Sequence, residues 1–203
     1  MNSEKRTIID HYDLLVDENN DPVHDPKPLR DYMDRWDGQG FIDKMELDKS
    51  KTVLEIGVGT GRLAVRVAPL CGHFVGIDIS PKTVERAKEN LSGQADVDLL
   101  CGDFLSYDIG ITFDVVYSSL TFMHFAEKQR AVDRAADLLN EGGRLVLSID
   151  KNQDNIIDMG TRRITVFPDD PEKMRAYIAK SGLVLAEQYE TEAAYIFIAE
   201  KRR

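Results

Sequence analysis

The chain contains few of the residues that mark metal-binding, redox or disulfide-rich proteins. Its 203 residues include two cysteines and one tryptophan. Cys71 and Cys101 lie far apart and show no Cys-x-x-Cys spacing. Because each lies in an apolar stretch, we expect two small buried side chains and neither a ligand pair nor a redox pair.

Basic residues are also in short supply. The chain has 26 lysines and arginines against 36 aspartates and glutamates, a formal net charge of −10. Proteins bind nucleic-acid phosphates through clustered lysine and arginine, so we expect no nucleic-acid partner. The same acidity is compatible with a neutral or cationic small molecule.

Long apolar runs are absent as well. No segment approaches the ~20 apolar residues of a membrane span, and residues 1–10 are polar and of mixed charge, without the apolar centre of a signal peptide. We therefore expect a cytoplasmic protein without a membrane partner. No exposed apolar face stands out, and we expect a monomer or a homodimer.

The most informative stretch is residues 53–63, which read VLEIGVGTGRL. An apolar, strand-like run ends at three glycines, Gly57, Gly59 and Gly61, and a helical pattern begins at Arg62. Such a turn presents unpaired N–H groups and the positive end of a helix to an anionic group. It predicts a ligand that lies close to the backbone.

The next strand-like run, residues 73–78, ends in an acid, Asp78. Asp78 comes 21 residues after Gly57, near the ~20 residues expected for an acid that binds ribose hydroxyls. A carboxylate can accept two hydrogen bonds from a vicinal diol, and charged acceptors bind more strongly than neutral ones. A nucleotide dehydrogenase would use an acid at the same place, so Asp78 alone does not identify the class of nucleotide-binding protein.

The spacing of the glycines does discriminate. The stretch Glu55-x-Gly57-x-Gly59-x-Gly61 resembles the class I S-adenosylmethionine-dependent methyltransferases, whereas a dehydrogenase more typically shows Gly-x-Gly-x-x-Gly. The resemblance implies S-adenosylmethionine as the cofactor. It also implies that the Asp103 carboxylate accepts a hydrogen bond from the exocyclic amine of adenine. The alternative for Asp103 is a turn cap. The cofactor contacts that the resemblance implies are Glu55, Gly57, Val58, Gly59, Gly61, Asp78, Ile79, Gly102, Asp103, Phe104, Ser118 and Ser119.

The fourth strand and the loop after it, residues 113–125, narrow the range of possible methyl acceptors. They lack the Asn-Pro-Pro-Tyr signature of enzymes that methylate amino groups of DNA bases or glutamine, and the paired-glutamate loop of the arginine enzymes. Ser118 and Ser119 stand where metal-assisted catechol-type enzymes carry a carboxylate. We expect a small-molecule acceptor and no metal.

The order of elements predicts one α/β domain over residues 1–203, a Rossmann-like, doubly wound seven-stranded sheet. The resemblance implies the strand order 3-2-1-4-5-7-6, mostly parallel, with a closing antiparallel hairpin. Residues 1–46 and 150–168 lie outside this core, and we expect an N-terminal cap or substrate region and a lid insertion. The predicted strands are 52–57, 73–78, 96–101, 113–118, 143–149, 183–190 and 194–200, with a short strand-like stretch at 164–167.

Candidate catalytic residues are few, because methyl transfer depends mainly on alignment. His124 is the candidate general base, since histidine titrates near neutrality; the alternative is a packing role. Further candidates for cofactor or substrate contacts, each with packing or surface exposure as the alternative, are Tyr12, Arg30, Tyr32, Arg35 and Trp36. We expect His11 to be solvated or capping, and Arg162 to be exposed.

Three functions stay open at this point. The first is a methyltransferase acting on a small molecule, and the second is an NAD(P)-dependent oxidoreductase. The third is a protein that binds S-adenosylmethionine without catalysis, because binding motifs can survive the loss of activity.

Overall fold

The structure, a computed structural model, describes residues 3–158, 160 and 162–202. The remaining five residues fall within the predicted cap, the predicted lid or the end of the domain, and lie outside the described residues: Met1, Asn2, Met159, Thr161 and Arg203. No helix among the described ranges is long and apolar enough to cross a membrane.

The chain alternates strands and helices after a helical N-terminal region. The strands are β1 (Thr52–Ile56), β2 (His73–Asp78), β3 (Val97–Cys101), β4 (Phe113–Ser119), β5 (Leu139–Asp150), β6 (Ile156–Asp158), β7 (Arg163–Thr165), β8 (Leu183–Glu190) and β9 (Ala194–Lys201). The α-helices are α1 (Ser3–Asp17), α2 (Lys27–Met33), α3 (Gly38–Asp43), α4 (Ala64–Val67), α5 (Pro81–Asn90), α6 (Lys128–Asp137) and α7 (Pro171–Lys180). Short 3-10 helices cover Pro22–His24, Ala68–Leu70 and Phe122–His124.

Seven strands form one sheet in the order β3-β2-β1-β4-β5-β9-β8. Strands β1 to β5 pair in parallel, and β9 is antiparallel to both β5 and β8. Counted within this sheet alone, the order is 3-2-1-4-5-7-6, which confirms the predicted fold. The structure differs from the prediction in one respect: β6 and β7 form a separate two-stranded ribbon. The sequence indicated only part of it, the short stretch at 164–167.

The central strands are apolar because helices cover both faces of the sheet. Strands β1 and β4 are buried along almost their whole length, and two apolar clusters fill the space on the two sides. Local signals set the helix starts: Ser80 and Asp170 accept backbone N–H groups at the starts of α5 and α7, and a proline follows each. The parallel order brings the carboxyl ends of β1, β2 and β4 to one edge.

Three expectations about exposure are wrong. Cys101 is exposed, because β3 is the edge strand and one side of it has no neighbour. His11 is buried and accepts a hydrogen bond from Arg162 Nε at 3.3 Å. Arg162 is mostly buried too, because both of its terminal nitrogens also bind Glu18. Charge pairing with α1, which the sequence did not reveal, draws this arginine inward.

Candidate cofactor and acceptor site

A cavity of about 500 Å³ lies at the carboxyl ends of β1, β2 and β4, beneath α1. Its walls come from the glycine-rich turn after β1, the turns after β2 and β3, and the loop after β4. Helix α1 and residues 165 and 167 of the predicted lid complete it. Ligands of open α/β sheets bind at this end of the strands, and the volume suits a small molecule.

The glycine-rich turn closes against β2 through its backbone. Gly57 and Val58 both donate their N–H groups to the Ile77 carbonyl, at 2.8 and 3.1 Å. Gly57 has φ +77°, and a Cβ there would overlap the Thr121 side chain. Gly59 has φ +54°, and a Cβ there would meet no protein atom within 4 Å. The turn therefore needs glycine at 57 for its own packing, while Gly59 leaves space free at the cavity.

Asp78 links this turn to the start of α5. Its carboxylate accepts the Gly59 N–H and the Ser80 N–H, each at 2.9 Å. Burial raises the pKa of Asp78 even though these N–H groups favour its charged form. The carboxylate lines the cavity, so its position matches the predicted binding of a ribose diol.

Glu55 is a buried acid at the inner end of the cavity. Its carboxylate accepts the Tyr117 hydroxyl proton at 2.6 Å, and only 4% of the residue is exposed. Burial raises the pKa of Glu55 to about 8, against the opposing effects of Tyr117 and the Arg62 charge. Glu55 is therefore largely protonated at neutral pH and would ionise readily beside a ligand ammonium group.

Arg62 and Asp37 form a buried ion pair at the same end, which the sequence analysis missed. Arg62 Nη1 donates to Asp37 at 3.0 Å and its Nη2 makes a second bond to the same carboxylate. Asp37 also accepts the Ser119 hydroxyl at 2.7 Å and the Gly38 N–H at 2.6 Å. Burial alone would raise the pKa of Asp37, but the hydrogen bonds and charge of Arg62 keep it below its usual value. Arg62 lines the cavity, and because a guanidinium has five N–H donors, those that Asp37 does not occupy could donate to a ligand carboxylate.

Asp103 lies at the opposite end of the cavity and is paired with Lys5 of α1. Its carboxylate also accepts the Leu105 N–H at 3.1 Å. Partial burial would raise the pKa of Asp103, and Lys5 together with the Leu105 N–H lowers it. Asp103 is thus ionised and caps its turn, which was the alternative role, and it also lines the cavity.

His124 lies on the 3-10 helix after β4, directly beneath α1. Its Nε2 is 2.7 Å from the Tyr12 hydroxyl oxygen, and its Nδ1 is buried with no hydrogen-bond partner among the residues that the structure describes. Burial, with the nearby charges of His11 and Lys128, lowers the pKa of His124 to about 4. The imidazole is therefore neutral at physiological pH.

Helix α1 is held over the cavity along its length. Asp13 accepts the Ser80 hydroxyl at 2.6 Å and the Lys82 N–H at 3.1 Å. Further along the chain, buried Asp21 accepts the Thr60 hydroxyl at 2.8 Å and Asn90 Nδ2 at 3.0 Å. These contacts join the N-terminal region to the glycine-rich turn and to α5, as expected of a cap.

The structure brings most of the predicted contacts together. Gly61 and Ser118 do not line the cavity: Gly61 packs under α5, with its virtual Cβ 3.6 Å from Leu91 Cδ1, and Ser118 donates to the Ile56 carbonyl at 2.8 Å. The predicted residues that line the cavity are Glu55, Gly57, Val58, Gly59, Asp78, Ile79, Gly102, Asp103, Phe104, Ser119 and His124.

Of the additional candidates, only Tyr12 lines the cavity. Arg35 instead pairs with Glu192 at the surface. Tyr32 is 49% exposed and contacts the Trp36 ring edge-on. Helix α2 ends at Met33, so Tyr32 and Trp36 do not lie on one continuous helix.

The donor set fits a sulfonium nucleoside. A nucleoside offers a ribose diol and an exocyclic amine, for which Asp78 and Asp103 supply acceptors at the ends of the neighbouring strands β2 and β3. An amino-acid portion adds an ammonium and a carboxylate group, and Glu55 and Arg62 lie together at one end of the cavity. Each ligand group has a complementary side chain in the wall.

Comparison with known proteins identifies a stretch similar to methyltransferases. Residues 53–143, slightly under half of the chain, match the sequence model of a family described as methyltransferase domain. The matched stretch begins in β1 and ends in β5, so it includes the glycine-rich turn, Asp78, Asp103 and His124 of the cavity.

Relatives and solved structures agree with this similarity. A protein named uncharacterized methyltransferase from Anoxybacillus flavithermus is 35% identical over 121 residues, which are 58% of this chain and 56% of that protein. The chain thus spans about half the length of the curated relatives it matches. The crystal structure of magnesium protoporphyrin IX methyltransferase from Synechocystis PCC 6803 with bound S-adenosylmethionine superposes with a TM-score of 0.73 and 18% identity, covering 99% of this chain and 98% of that one.

The same fold also serves another activity. The crystal structure of the [4+2]-cyclase SpnF superposes on this chain with a TM-score of 0.76 and 17% identity, covering 98% of this chain and 97% of that one. Because fold does not determine reaction, the likeness shows architecture alone. The chemistry has to be argued from the cavity.

Proposed function

We propose that the protein transfers a methyl group from S-adenosylmethionine to a small-molecule acceptor. The observation that carries this proposal is the convergence of Glu55, Asp78 and Asp103 with the glycine-rich turn on one cavity, within a matched methyltransferase domain. We assign Asp78 to the ribose diol, Asp103 to the adenine amine, Glu55 to the ammonium and Arg62 to the carboxylate.

S-adenosylmethionine supplies an activated methyl group when it is bound. The protein's part is to hold donor and acceptor in line and to exclude water, and positioning of this kind contributes about 7–11 kcal/mol to catalysis. Helix α1 covers the cavity and residues 165 and 167 complete its wall. Their contacts support the predicted roles as cap and lid.

The role of His124 shifts from the one the sequence suggests. A general base works best when its pKa lies near the operating pH, and burial lowers the pKa of His124 to about 4. Such an imidazole is a weak base at neutral pH. Its position supports a hydrogen-bonding role toward the acceptor more than proton abstraction.

A small acceptor is favoured by the size of the cavity and by the acidity of the chain. Helix α1 lines a cavity of about 500 Å³, a volume that suits a small molecule, and the net charge of −10 disfavours nucleic acid. Solved structures of similar fold include the magnesium protoporphyrin IX methyltransferase and the N-methyltransferase NodS from Bradyrhizobium japonicum. The acceptor atom is not assigned by these likenesses.

The direct test is turnover. The protein is incubated with S-adenosylmethionine carrying a labelled methyl group and a fractionated small-molecule extract. We expect S-adenosylhomocysteine to form together with a labelled product, and both to be lost in Asp78→Asn. Binding of S-adenosylhomocysteine without turnover on any fraction would favour the non-catalytic binding protein instead.

The oxidoreductase alternative has less support. The early third glycine, the closing antiparallel strands β8 and β9, and the matched family all differ from a nucleotide dehydrogenase. Thermal protection by NADH greater than that by S-adenosylhomocysteine would restore this alternative.

A further inference from the structure

We propose that His124, oriented by Tyr12, donates a hydrogen bond from Nδ1 to an oxygen of the methyl acceptor, and that the acceptor is an uncharged, mainly apolar compound with a hydroxyl or carbonyl group. This inference rests on the proposed function and specifies the substrate class for the same cavity. Tyr12 is a positioning residue, because it acts through His124.

The segment that carries His124 is held by contacts from three elements. Lys128 of α6 donates to the Phe122 carbonyl at 2.8 Å and to the Phe167 carbonyl at 2.7 Å. Phe167 in turn donates its N–H to the Met123 carbonyl at 2.7 Å. The 3-10 helix that carries His124 is thereby tied to α6 and to the predicted lid, while Tyr12 approaches from α1.

Tyr12 determines which ring nitrogen carries the proton. Burial and the Asp78 charge raise the pKa of Tyr12, so its hydroxyl stays protonated. A phenol is a better donor than acceptor, and its 2.7 Å contact with Nε2 makes Nε2 the acceptor. A neutral imidazole whose Nε2 accepts must carry its proton on Nδ1.

That Nδ1–H group needs an acceptor. It is buried and has no partner within the described part of the chain. Leaving a buried donor unsatisfied costs about 1–3 kcal/mol. His124 lines the cavity, and a ligand oxygen that reached Nδ1 through a small movement of the surrounding side chains would remove this cost. An ammonium group has no lone pair to offer and cannot take this place.

A carboxylate is disfavoured for a different reason. The cations near this part of the cavity already have anionic partners: Lys128 pairs with Asp169 at 2.7 Å, and Arg162 pairs with Glu18 at 2.7 Å. A buried anion without its own counter-ion is costly. The cavity wall is mainly apolar, with Ile8, Leu15, Met33, Met123, Phe125 and Phe167 among its residues, and Thr121, Glu127 and Thr165 are, besides His124, its polar members from the loop after β4 and the predicted lid.

The first test reads the tautomer of His124 in the full-length protein by ¹⁵N NMR of the imidazole, with S-adenosylhomocysteine present. We expect a neutral ring protonated at Nδ1, and mixed tautomers in Tyr12→Phe but not in the control Tyr32→Phe, whose hydroxyl is outside the cavity wall. A ring protonated at Nε2 in the wild type would overturn the inference. This measurement needs no variant of His124 to fold.

The second test compares three matched probes by calorimetry, with S-adenosylhomocysteine saturating. They are 2-naphthol, 2-naphthoate and 2-naphthylmethylammonium, which differ in charge and in hydrogen-bonding capacity. We expect 2-naphthol to bind at least about fivefold more tightly than either ion, the fold-change that ~1 kcal/mol produces. We expect His124→Phe to lose this preference and the control His24→Phe to keep it.

The outcomes separate the two proposals. If S-adenosylhomocysteine does not bind, the proposed function is wrong. If S-adenosylhomocysteine binds but an ion binds as tightly as 2-naphthol, or no probe binds, only the substrate class is wrong. Retention of the preference in a folded His124→Phe would equally exclude His124 as the donor.

Discussion

Glu55 is the residue whose environment departs most from that of an ordinary surface acid. The unfolded chain gives it a pKa near 4.5, and burial raises that pKa to about 8 in the folded protein. Between these values the folded state holds a proton that the unfolded state has lost. The contribution of Glu55 to stability is therefore fully present below pH 4.5 and is lost as the pH rises to about 8.

This pKa shift leads to a test with Glu55→Gln, which stays neutral. Urea unfolding at several pH values should show the wild type losing stability relative to the variant as the pH rises from 4.5 to about 8. The pKa of His124 is lowered from 6.5 to about 4, so this residue makes both proteins more stable as the pH rises from about 4 to 6.5. The difference between the two curves cancels that trend, and parallel curves would contradict the shift.

Gly59 offers a second test at the residue scale. Gly59→Val places a side chain where no protein atom lies within 4 Å, at φ +54°. The matched control is Gly110→Val, at φ +73° with similar free space but outside the cavity wall. We expect both to lose roughly 1–2 kcal/mol or more of stability from the left-handed backbone. Only Gly59→Val should abolish binding of S-adenosylhomocysteine in calorimetry; native affinity in that variant would refute the assignment of the turn.

The buried pair of Asp37 and Arg62 could not be predicted from the sequence, because 25 positions, which include α3, β1 and the glycine-rich turn, separate the two residues. We expect Asp37→Asn to cost about 3–5 kcal/mol in urea unfolding, since it leaves the arginine charge buried without its partner. The control is Asp34→Asn, which removes a partly exposed partner of Arg66 and should cost at most about 1 kcal/mol. Equal costs would show that burial of the first pair is unimportant.

At the scale of elements, the core was predictable and the cover was not. Strands such as β1 and β4 are apolar along their length, and glycine or a capping residue marks their ends, so pattern alone locates them. Helix α1 turns Ile8, Tyr12, Leu15 and Val16 toward the cavity at helical spacing, but that spacing does not say what the face covers. Its position depends on polar contacts with other elements, as Lys5 binds Asp103 and Asp13 binds Ser80, and long-range pairing of that kind leaves no periodic signal.

The attachment of the predicted lid depends on one buried cation. Lys128→Met should cost about 3 kcal/mol or more in urea unfolding, because Asp169 would keep its buried charge without a partner. Faster amide hydrogen exchange over residues 163–169 should accompany the loss. Lys173→Met, at an exposed position of α7, should change neither quantity. Unchanged exchange in Lys128→Met would show that this lysine does not fasten the segment.

At the scale of the whole molecule, one glycine spacing and three acids indicated both the fold and the cofactor end of the cavity. They sufficed because parallel strands bring their carboxyl ends to one edge whatever the loops between them contain. The acceptor end is built from α1, the loop after β4 and the predicted lid, whose relative positions depend on Tyr12, Lys128 and Arg162. No spacing rule connects residues so distant in the chain.

The central claim is that this sheet edge holds a sulfonium nucleoside through Asp78 and the glycine-rich turn. Calorimetric titration of the full chain with S-adenosylhomocysteine, beside NADH and the variant Asp78→Asn, tests it most directly. We predict one site per chain for S-adenosylhomocysteine, no saturable binding of NADH, and a loss of affinity in Asp78→Asn. Binding of NADH in preference to S-adenosylhomocysteine, or unchanged affinity in the folded variant, would contradict the claim.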